Sequence, residues 1–330
     1  MKFLVIGLGS IGKRHIRNLI HLKIHPKNIT GYDPRLDRIN EVRNYGVTNF
    51  ISNLSNIKNK EFDGAFICSP TSMHIKQSII IAKRNINLFI EKPLDSKITH
   101  VKKLQKLEKE KKINILITYP FRFSDHANTF KNLIDKKVVG KPLYFKGEFS
   151  EYLPDWHPYE KYNSFYMAKK SMGGGSILDQ SHILDIAHFV FGDFKKIINC
   201  FNSKISNLKV AADDIADIVI ETKKGLIGTI HQDMFGREHK KYMDVYCEKG
   251  NILWNVYDCS VTVYNAKTKK YKKYKHKIDH NQMYLNQTKH IFKLIQKKTK
   301  PKVTLSDGVH TLKTILKAEK MSKLNKSIKV

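Results

Sequence analysis

Cysteine is scarce in this chain of 330 residues, which has only Cys68, Cys200, Cys247 and Cys259. The four lie far apart and form no Cys-x-x-Cys pair, so their spacing argues against a zinc site and a disulfide scaffold. Widely spaced cysteines of this kind are typical of a reducing compartment. With 41% hydrophobic residues the chain can build apolar cores, and this excludes a disordered or fibrous protein.

Long apolar runs are also lacking. The N-terminal stretch 3–6 is apolar, but it stops at Gly7 and is too short for the core of a signal peptide. No run approaches the roughly 20 apolar residues that cross a bilayer. We therefore expect a soluble, cytoplasmic protein with no membrane partner.

Arginine is rare, whereas lysine is abundant. The chain has 60 lysines and arginines against 30 aspartates and glutamates, a net charge of +30, and only eight of the 60 are arginine. Proteins that read nucleic acids usually rely on arginine for bidentate contacts to phosphate and guanine. The composition favours a lysine-rich solvated surface, so we expect no nucleic-acid partner.

One basic run is dense enough to need its own interpretation. Residues 267–277 contain seven lysines and two tyrosines. Such a run can bind along a nucleic-acid strand, because aromatic rings stack on bases while lysines contact phosphates. It can equally be an edge strand that lysines protect from pairing with other chains, and we favour this interpretation.

The first 120 residues alternate short apolar strands with amphipathic helices. Alternation of this kind predicts a parallel sheet with helices on both faces. The strands are expected at 2–6, 29–32, 62–68, 87–90 and 113–118.

The pattern changes after about residue 120, where helices at 125–136 and 182–191 are followed by successive strands and two closing helices. This predicts a second, α+β domain with a mixed or antiparallel sheet. We expect an α/β domain over 1–120 and the second domain over 121–330. The later strands are expected at 196–204, 215–221, 226–233, 241–247, 251–256 and 259–264, and the closing helices at 281–297 and 306–324.

A glycine motif follows the first strand directly and opens the first helix. In this context Gly7 permits a tight turn, Gly9 lets the backbone approach a pyrophosphate, and Gly12 allows close packing of helix on strand. The first N–H groups of the helix would then bind the anion. The motif reads Gly7-Leu8-Gly9-Ser10-Ile11-Gly12.

An acidic residue supports the same interpretation. Asp33 ends the second predicted strand, 21 residues beyond Gly12, where a carboxylate can bind the adenosine ribose 2′-hydroxyl. A carboxylate there repels a 2′-phosphate, so we predict NAD as the cofactor. Arg35, two residues on, could instead accommodate that phosphate, which leaves NADP as the alternative.

Polar residues also follow the third and fourth strands. Ser69, Pro70 and His74 come after one, and Glu91 and Lys92 end the other. The carboxyl ends of parallel strands are where open α/β sheets bind ligands. The sequence therefore predicts part of the site here.

A third group lies much later in the chain. Three glycines at 173–175 precede Asp179 and His182, which are three residues apart and expected on one face of a helix. Histidine can accept a hydroxyl proton near neutral pH, and a lysine ammonium such as that of Lys92 can stabilise the developing alkoxide. Asp179 could orient the imidazole or hold a neighbouring hydroxyl. Each of these residues also has a purely structural interpretation, as a surface lysine, a buried histidine or a first-turn acid.

Together these motifs resemble the glucose–fructose oxidoreductase / inositol dehydrogenase / MocA family over nearly the whole chain. The resemblance implies a Rossmann domain over 1–120 and a substrate-binding and oligomerisation domain over 121–330 with a large, mostly antiparallel sheet. The open face of that sheet is expected to mediate homodimers or homotetramers, and Lys92, Asp179 and His182 are the implied catalytic residues. The chain departs from the family in one respect. Sugar-alcohol members usually have the aspartate and histidine four residues apart, which leaves the division of labour between Asp179 and His182 open. The implied cofactor contacts are Gly7, Gly9, Ser10, Ile11, Gly12, Asp33, Arg35, Ser69, Pro70, His74, Glu91 and Lys92.

Aromatic and basic residues before the three glycines suit a sugar ring. We assign Arg122, Tyr152, Trp156 and His157 to substrate binding, with Asp179 and His182. An aromatic loop packed between domains or subunits is the alternative. Relatives with a similar stretch often belong to surface-polysaccharide or nucleotide-sugar pathways.

The predicted activity is an NAD(P)-dependent oxidation of a secondary alcohol, or reduction of a ketone, on a sugar, sugar phosphate or nucleotide-sugar. No metal is expected. Two alternatives stay open: an enzyme with tightly bound NAD that uses transient oxidation for epimerisation, elimination or glycoside hydrolysis, and a non-catalytic regulator that binds the cofactor.

Overall fold

The structure is a computed structural model that describes residues 1–156 and 161–324. The chain forms two compact units. Unit 1 combines Met1–Pro120 with Asn281–Val309, and unit 2 combines Phe121–His280 with the residues from His310 onwards.

Unit 1 contains a six-stranded parallel sheet with the strand order β3-β2-β1-β4-β5-β6. All four residues of the first strand are fully buried, which explains why the strands read as continuous apolar runs. The order reverses between β1 and β4, as in a doubly wound fold, so the predicted Rossmann-type sheet is confirmed. The strands are β1 (Phe3–Ile6), β2 (Ile29–Tyr32), β3 (Asn49–Phe50), β4 (Gly64–Ile67), β5 (Asn87–Glu91) and β6 (Ile115–Thr118), and the helices are α1 (Ser10–His21), α2 (Leu36–Arg43), α3 (His74–Ala82) and α4 (Val101–Lys111).

Unit 2 contains an eight-stranded sheet with the order β14-β13-β12-β11-β7-β10-β9-β8. Only β7 and β10 pair in parallel, so the predicted mostly antiparallel sheet is confirmed. The basic run forms the edge strand β14, as predicted. The elements are α5 (Asp125–Asp135), β7 (Pro142–Tyr152), α6 (Ser176–Asp179), α7 (His182–Phe191), β8 (Phe194–Ser203), β9 (Ile215–Thr222), β10 (Ile227–Asp233), β11 (Phe235–Cys247), β12 (Gly250–Asn255), β13 (Ser260–Asn265) and β14 (Lys270–Lys275).

The two closing helices are α8 (Gln282–Ile295) and α9 (Leu305–Leu324). Helix α8 packs in unit 1, where the ring of Phe292 lies 5.8 Å from that of Phe3 and Asn281 bonds Asn18. The sequence placed the whole of 121–330 in the second domain. An amphipathic pattern shows which helix face is buried but not which sheet buries it, so the return of the chain to unit 1 left no signal.

The sheet of unit 2 is covered by helices on one face. Helix α7 packs there through Phe191, whose ring stacks 4.6 Å from that of Phe145, and α5 packs through Phe130, 5.9 Å from Trp254. The opposite face, called the open face below, carries exposed apolar side chains. Its members Phe201, Ile227, Tyr246, Leu253 and Tyr271 are 36–74% exposed.

The open face also holds a charged histidine between two carboxylates. His231 Nδ1 lies 2.8 Å from Asp217 and Nε2 lies 2.9 Å from Asp233. The hydrogen bonds that His231 donates to Asp217 and, second in effect, to Asp233 raise its pKa to about 10. Since the folded-state pKa exceeds the ordinary value of 6.5, the stabilisation is complete below pH 6.5 and is lost as the pH rises to about 10.

We therefore expect His231→Gln to lower the free energy of unfolding by about 2 kcal/mol at pH 6, since exposure to solvent reduces the full effect of the shift. The difference from the unmodified protein should shrink towards pH 10. Urea denaturation of both proteins from pH 6 to 10 measures it. A difference that stays constant with pH would show that the histidine contributes by packing alone.

Candidate active site

The glycine motif of unit 1 forms a tight turn between β1 and α1. Gly7 has φ +91°, and a Cβ atom there would lie 2.5 Å from the backbone carbonyl of Cys68. A Cβ on Gly12 would lie 1.9 Å from the carbonyl oxygen of Gly7. Both positions therefore require glycine. The resulting loop leaves the backbone of Gly9 open to a ligand, as dinucleotide binding requires.

The start of α1 supplies donors for an anion. The helix begins at Ser10, after Gly9 at the N-cap, and no side chain caps it. The first N–H groups of a helix, here those of Ser10 and Ile11, have no acceptor within the helix and carry its positive dipole end. This end therefore fits a pyrophosphate.

Asp33 joins the end of β2 to the glycine turn. Its buried carboxylate accepts hydrogen bonds from the N–H groups of Leu8, at 2.7 Å, and Arg35, at 2.9 Å. A carboxylate has about four acceptor positions, so two remain for a ribose diol. The placement fits the predicted cofactor contact.

The arginine beside Asp33 is Arg38. Its Nη1 lies 3.7 Å from Asp33 Oδ2 and 3.4 Å from the position of a Cβ on Gly9. Arg35, which the sequence favoured, instead directs its guanidinium to the carboxylate of Asp37 at the surface. The interaction lowers the pKa of Asp37 to about 2, mainly through the hydrogen bond from Arg35. Sequence reasoning missed Arg38 because its place one turn into α2 is not visible from spacing.

His74 holds the two strand-end loops of unit 1 together. Its buried ring lies 2.8 Å from the carbonyl oxygen of Ser69 and 2.9 Å from that of Pro93. Ser69 also donates its hydroxyl to Gln77, at 2.6 Å, and Pro70 precedes a short helical turn. These contacts fix the loop that follows β4 and the loop that follows β5. Lys92 lies on the second of these loops.

Glu91 is the last residue of strand β5, and Lys92 follows it directly. Burial of Glu91 alone would raise the pKa of its carboxyl, but the hydrogen bond and charge of His15, with Thr118 and Lys92, lower that pKa below its usual value. The contact between His15 Nε2 and Glu91 measures 2.8 Å. Lys92, half-buried, therefore follows a carboxylate that is fixed and ionised.

The three glycines of unit 2 have no Cβ atom and so allow the preceding loop to pack closely against the start of α6. A Cβ on Gly174 would lie 2.2 Å from the carbonyl oxygen of Met167, and Gly175, with φ +120°, packs on Asp213. The same packing directs Tyr166 towards the helix. Its hydroxyl donates to Asp179 at 2.6 Å. Sequence reasoning did not assign Tyr166 to the site, because only the folded loop brings it there.

Asp179 and His182 do not share a helix, and that expectation was wrong. Asp179 is the last residue of α6 and His182 is the first of α7. The chain turns between them at Gln180, whose side-chain amide donates to the carbonyl oxygen of Asp233 at 2.6 Å. This buried contact holds the break in the helix. The two functional groups therefore lie at a helix end and a helix start, respectively.

His182 lies among aromatic rings in unit 2. Its imidazole is 5.0 Å from the ring of Phe121 and stacks at 5.9 Å on Phe149. The residue as a whole is half-buried. Such surroundings limit imidazole rotation, which suits a group that must accept a proton in one direction.

Arg122, assigned from the sequence to substrate binding, forms a buried ion pair with Asp185. Its Nε and Nη2 donate to the two carboxylate oxygens at 2.9 and 2.7 Å, and the arginine is 4% exposed. This bidentate geometry is typical of a structural pair. A contact with substrate stays a prediction.

The aromatic residues before the three glycines pack mainly against their own loop. Tyr152 and Trp156 lie against a small core formed by Leu153, Phe165, Met167, Leu208 and Met234. Arg237 covers the ring of Tyr152, at 3.7 Å. His157 lies outside the described residues. Substrate binding by these three residues stays a prediction.

Within the described residues, side chains of the kinds that bind metals come together in two groups. In each group a histidine already forms a hydrogen bond with the carboxylate. In the group His15, Cys68 and Glu91, burial and then the charge of Glu91 raise the pKa of the Cys68 thiol well above its usual value, which disfavours a thiolate ligand. In the group His188, Asp193 and His310, Lys223 lies 2.7 Å from the carboxylate. Neither arrangement offers a ready cation site.

Across residues 1–156 and 161–324, no helix is long and apolar enough to cross a membrane.

Comparison with known sequences supports the assignment made from the motifs. Residues 1–119 match the model of an oxidoreductase family with an NAD-binding Rossmann fold, and residues 127–253 match the C-terminal domain of the same Gfo/Idh/MocA group. The chain is 25% identical to myo-inositol 2-dehydrogenase of Thermotoga maritima, over 100% of this chain and 98% of that protein. It is 27% identical to scyllo-inositol 2-dehydrogenase (NAD(+)) of Bacillus subtilis, over 57% of this chain and 53% of that protein.

Comparison with solved structures agrees on the fold. Levoglucosan dehydrogenase in complex with NADH and levoglucosan superposes with a TM-score of 0.84 at 18% identity, over 98% of this chain and 97% of that one. Both domain matches, the full-length relative and the common fold lead to one conclusion. The chain belongs to the Gfo/Idh/MocA family of oxidoreductases.

Proposed function

We propose that the protein is an NAD-dependent dehydrogenase that oxidises a secondary hydroxyl of a cyclic polyol or sugar. One observation carries the proposal: the chain combines a glycine turn with Asp33 in unit 1 and three side chains whose chemistry suits the oxidation of a hydroxyl, Lys92 in unit 1 and Asp179 and His182 in unit 2. A protein that only bound the cofactor would need the turn but not the second set.

The proposed chemistry divides the work among these residues. When bound, the nicotinamide accepts the hydride from the carbon that is oxidised. His182 accepts the hydroxyl proton, and its ring is oriented for this by Phe121 and Phe149. Lys92 stabilises the developing negative charge on oxygen. Asp179, held by Tyr166, binds a neighbouring hydroxyl or assists the imidazole.

The substrate class rests on the relatives. Two of them are named for inositols, and the structurally similar levoglucosan dehydrogenase was solved with an anhydrosugar. A ring that carries several hydroxyls is common to all three. We propose this class for the present protein, with sugar phosphates and nucleotide-sugars of surface-polysaccharide synthesis as the narrower alternative.

The direct test is NADH formation by the purified protein with NAD and a panel of myo-inositol, scyllo-inositol, levoglucosan, glucose and UDP-N-acetylglucosamine. We expect stoichiometric NADH and ketone from at least one neutral ring compound. Product formed without added NAD, and without net NADH, would favour the transient-oxidation alternative. No turnover of any compound by an NAD-binding protein would favour the regulator.

The cofactor proposal gives a prediction at Asp33. Since its carboxylate occupies the place of a 2′-phosphate and lies beside Arg38, Asp33→Ser should raise the affinity for NADP relative to NAD by at least tenfold. Calorimetric titration of both cofactors measures it. Arg35→Ala is the matched control, since its side chain pairs with Asp37, and it should leave the ratio unchanged. A native protein that binds NADP tenfold more tightly than NAD would contradict the proposal.

We also propose a homodimer or homotetramer built on the open face of unit 2. Leu253 and Tyr246 lie there among exposed apolar side chains, and a second copy would remove that surface from water. Replacing both by lysine should yield monomers near 38.4 kDa in sedimentation, whereas the unmodified protein should sediment as a larger species. Leu36→Lys, at an exposed leucine of unit 1, is the control and should not change the assembly. An unmodified protein that is monomeric at micromolar concentration would contradict this.

A further inference from the structure

A cluster of three polar side chains lies near the end of strand β7 in unit 2. The carboxylate of Glu151 accepts a hydrogen bond from the Tyr257 hydroxyl at 2.7 Å and pairs with the Lys241 ammonium at 2.5 Å. Lys241 also lies over two rings, 4.5 Å from the centre of Phe149 and 5.2 Å from that of Tyr257. We call these three residues the Glu151 cluster.

The cluster adjoins His182 on the covered face of the sheet. Helix α7 starts above this strand, with Ile183 packed over Gly147 and His182 stacked on Phe149. Glu151 is two residues further along the same face, a step of about 7 Å beyond the helix start. Lys241 is the direct cross-strand partner of Phe149. The cluster therefore lies on the same face of the sheet as the proposed proton acceptor, with Phe149 in contact with both His182 and Lys241.

The cluster is poorly explained as a stabilising device. The side chains of Lys241 and Glu151 are only 17% and 13% exposed, so both charges have lost most of their water. Desolvation of an ion pair commonly offsets its Coulombic gain, and apolar side chains would fill the same space at no such cost. A partly exposed, fixed set of donors and acceptors beside a proton-transfer residue is what a polar ligand requires.

We propose that Glu151, Lys241 and Tyr257 bind the neutral ring hydroxyls of the substrate and so determine its specificity; this inference rests on the function proposed above. The carboxylate and the phenol oxygen accept hydrogen bonds from hydroxyls, whereas the ammonium, with three N–H groups, can donate to them. The ammonium and the carboxylate neutralise each other. The cluster therefore favours an uncharged polyol over a sugar acid or a sugar phosphate.

The Tyr257 phenol keeps its proton, and with it the hydrogen bond to Glu151, at any pH used for the assay. Burial, followed by the charge and hydrogen bond of Glu151, raises the pKa of Tyr257 far above its usual value. Removing the hydroxyl by Tyr257→Phe keeps the ring beside Lys241 and deletes one polar contact only. Tyr257→Phe is therefore the single substitution that changes the Glu151 cluster least.

The open face offers a matched control. There Tyr242 donates to Glu148 at 2.6 Å, nearly the same contact as that of Tyr257 with Glu151, but on the opposite side of the sheet. Tyr242→Phe removes the same atom from the same kind of pair. It should change neither the KM for a polyol nor that for a sugar acid.

The experiment compares steady-state kinetics of the unmodified protein, Tyr257→Phe, Tyr242→Phe and the double variant Glu151→Gln/Lys241→Met, with saturating NAD. The probes are myo-inositol, scyllo-inositol, levoglucosan and glucuronate. The double variant removes both charges together, so neither is left uncompensated. Calorimetric NAD binding and thermal unfolding of each variant report on folding independently of turnover.

We expect the unmodified protein to oxidise a neutral compound in preference to glucuronate. Tyr257→Phe and the double variant should each raise the KM for that neutral compound at least tenfold, with kcat changed less than threefold and the affinity for NAD unchanged. A KM that stays within twofold in both variants, with normal folding, would overturn the inference and leave the dehydrogenase intact. Preference for glucuronate would also overturn it. Absence of turnover by the unmodified protein would instead overturn the proposed function, and the inference with it.

Discussion

Lys92→Ala should reduce kcat by about 10²–10⁴-fold, the effect expected for loss of a charge that stabilises the transition state. NAD affinity should change little, because we propose that the turn at Gly7–Gly12 and Asp33 bind the other end of the cofactor. Stopped-flow or steady-state measurement of NADH formation gives kcat, and calorimetry gives the affinity for NAD.

The control is another lysine of unit 1. Lys76 is exposed on helix α3, so Lys76→Ala removes the same charge from the same unit and should leave kcat unchanged. Loss of NAD binding in Lys92→Ala, with turnover normal once NAD saturates, would mean that Lys92 binds the cofactor and does not act on the hydroxyl.

His182 and Asp179 test the other half of the mechanism. His182→Ala should reduce kcat by a similar factor. If both groups act on one oxygen, as proposed, the double variant with Lys92→Ala should lose less than the product of the two single losses. Asp179→Asn should be milder if Asp179 only binds or orients. A large loss of kcat in Asp179→Asn, with kcat of His182→Ala near normal from pH 6 to 9, would assign the proton to the carboxylate.

Much of unit 1 could be predicted from the sequence because its constraints are local. Gly7 and Gly12 have no room for a Cβ atom, so the turn must show in the sequence as glycine. The strands are buried on both faces and therefore read as unbroken apolar runs. The position of Asp33 at the end of β2 follows from the same alternation of strands and helices.

The features that could not be predicted depend on contacts between distant parts of the chain. The break after Asp179 exists because Gln180 bonds the backbone of Asp233, 53 residues away. Tyr166 reaches Asp179 only through loop packing on the glycines, and Lys241 meets Glu151 only because β11 pairs with β7. Strand β7 itself was not identified, although it is central, since its pattern mixes lysine and glutamate with apolar residues.

Breaking the ion pair of Arg122 with Asp185 should destabilise the protein strongly. Asp185→Asn leaves a buried guanidinium with an amide in place of its counter-charge, and we expect a loss of about 3 kcal/mol in the free energy of unfolding. Urea denaturation measures it. Lys131→Ala removes an exposed pair with Asp135 on α5 and should cost less than about 1 kcal/mol.

The double variant Arg122→Met/Asp185→Leu separates structure from substrate binding. Apolar side chains of similar size can replace a buried pair at little cost, so most of the lost stability should return. If Arg122 also contacts substrate, the recovered protein will retain a raised KM for the polyol; a KM equal to that of the unmodified protein would limit Arg122 to the structural pair. Failure of the double variant to regain stability would show that the network around the pair, which includes His188 at 3.4 Å from Arg122, requires the charges themselves. In that case Arg122, Asp185 and His188 would act as one polar network that fixes the helix beginning at His182, and the stability of the protein and the orientation of the proposed proton acceptor would depend on the same contacts.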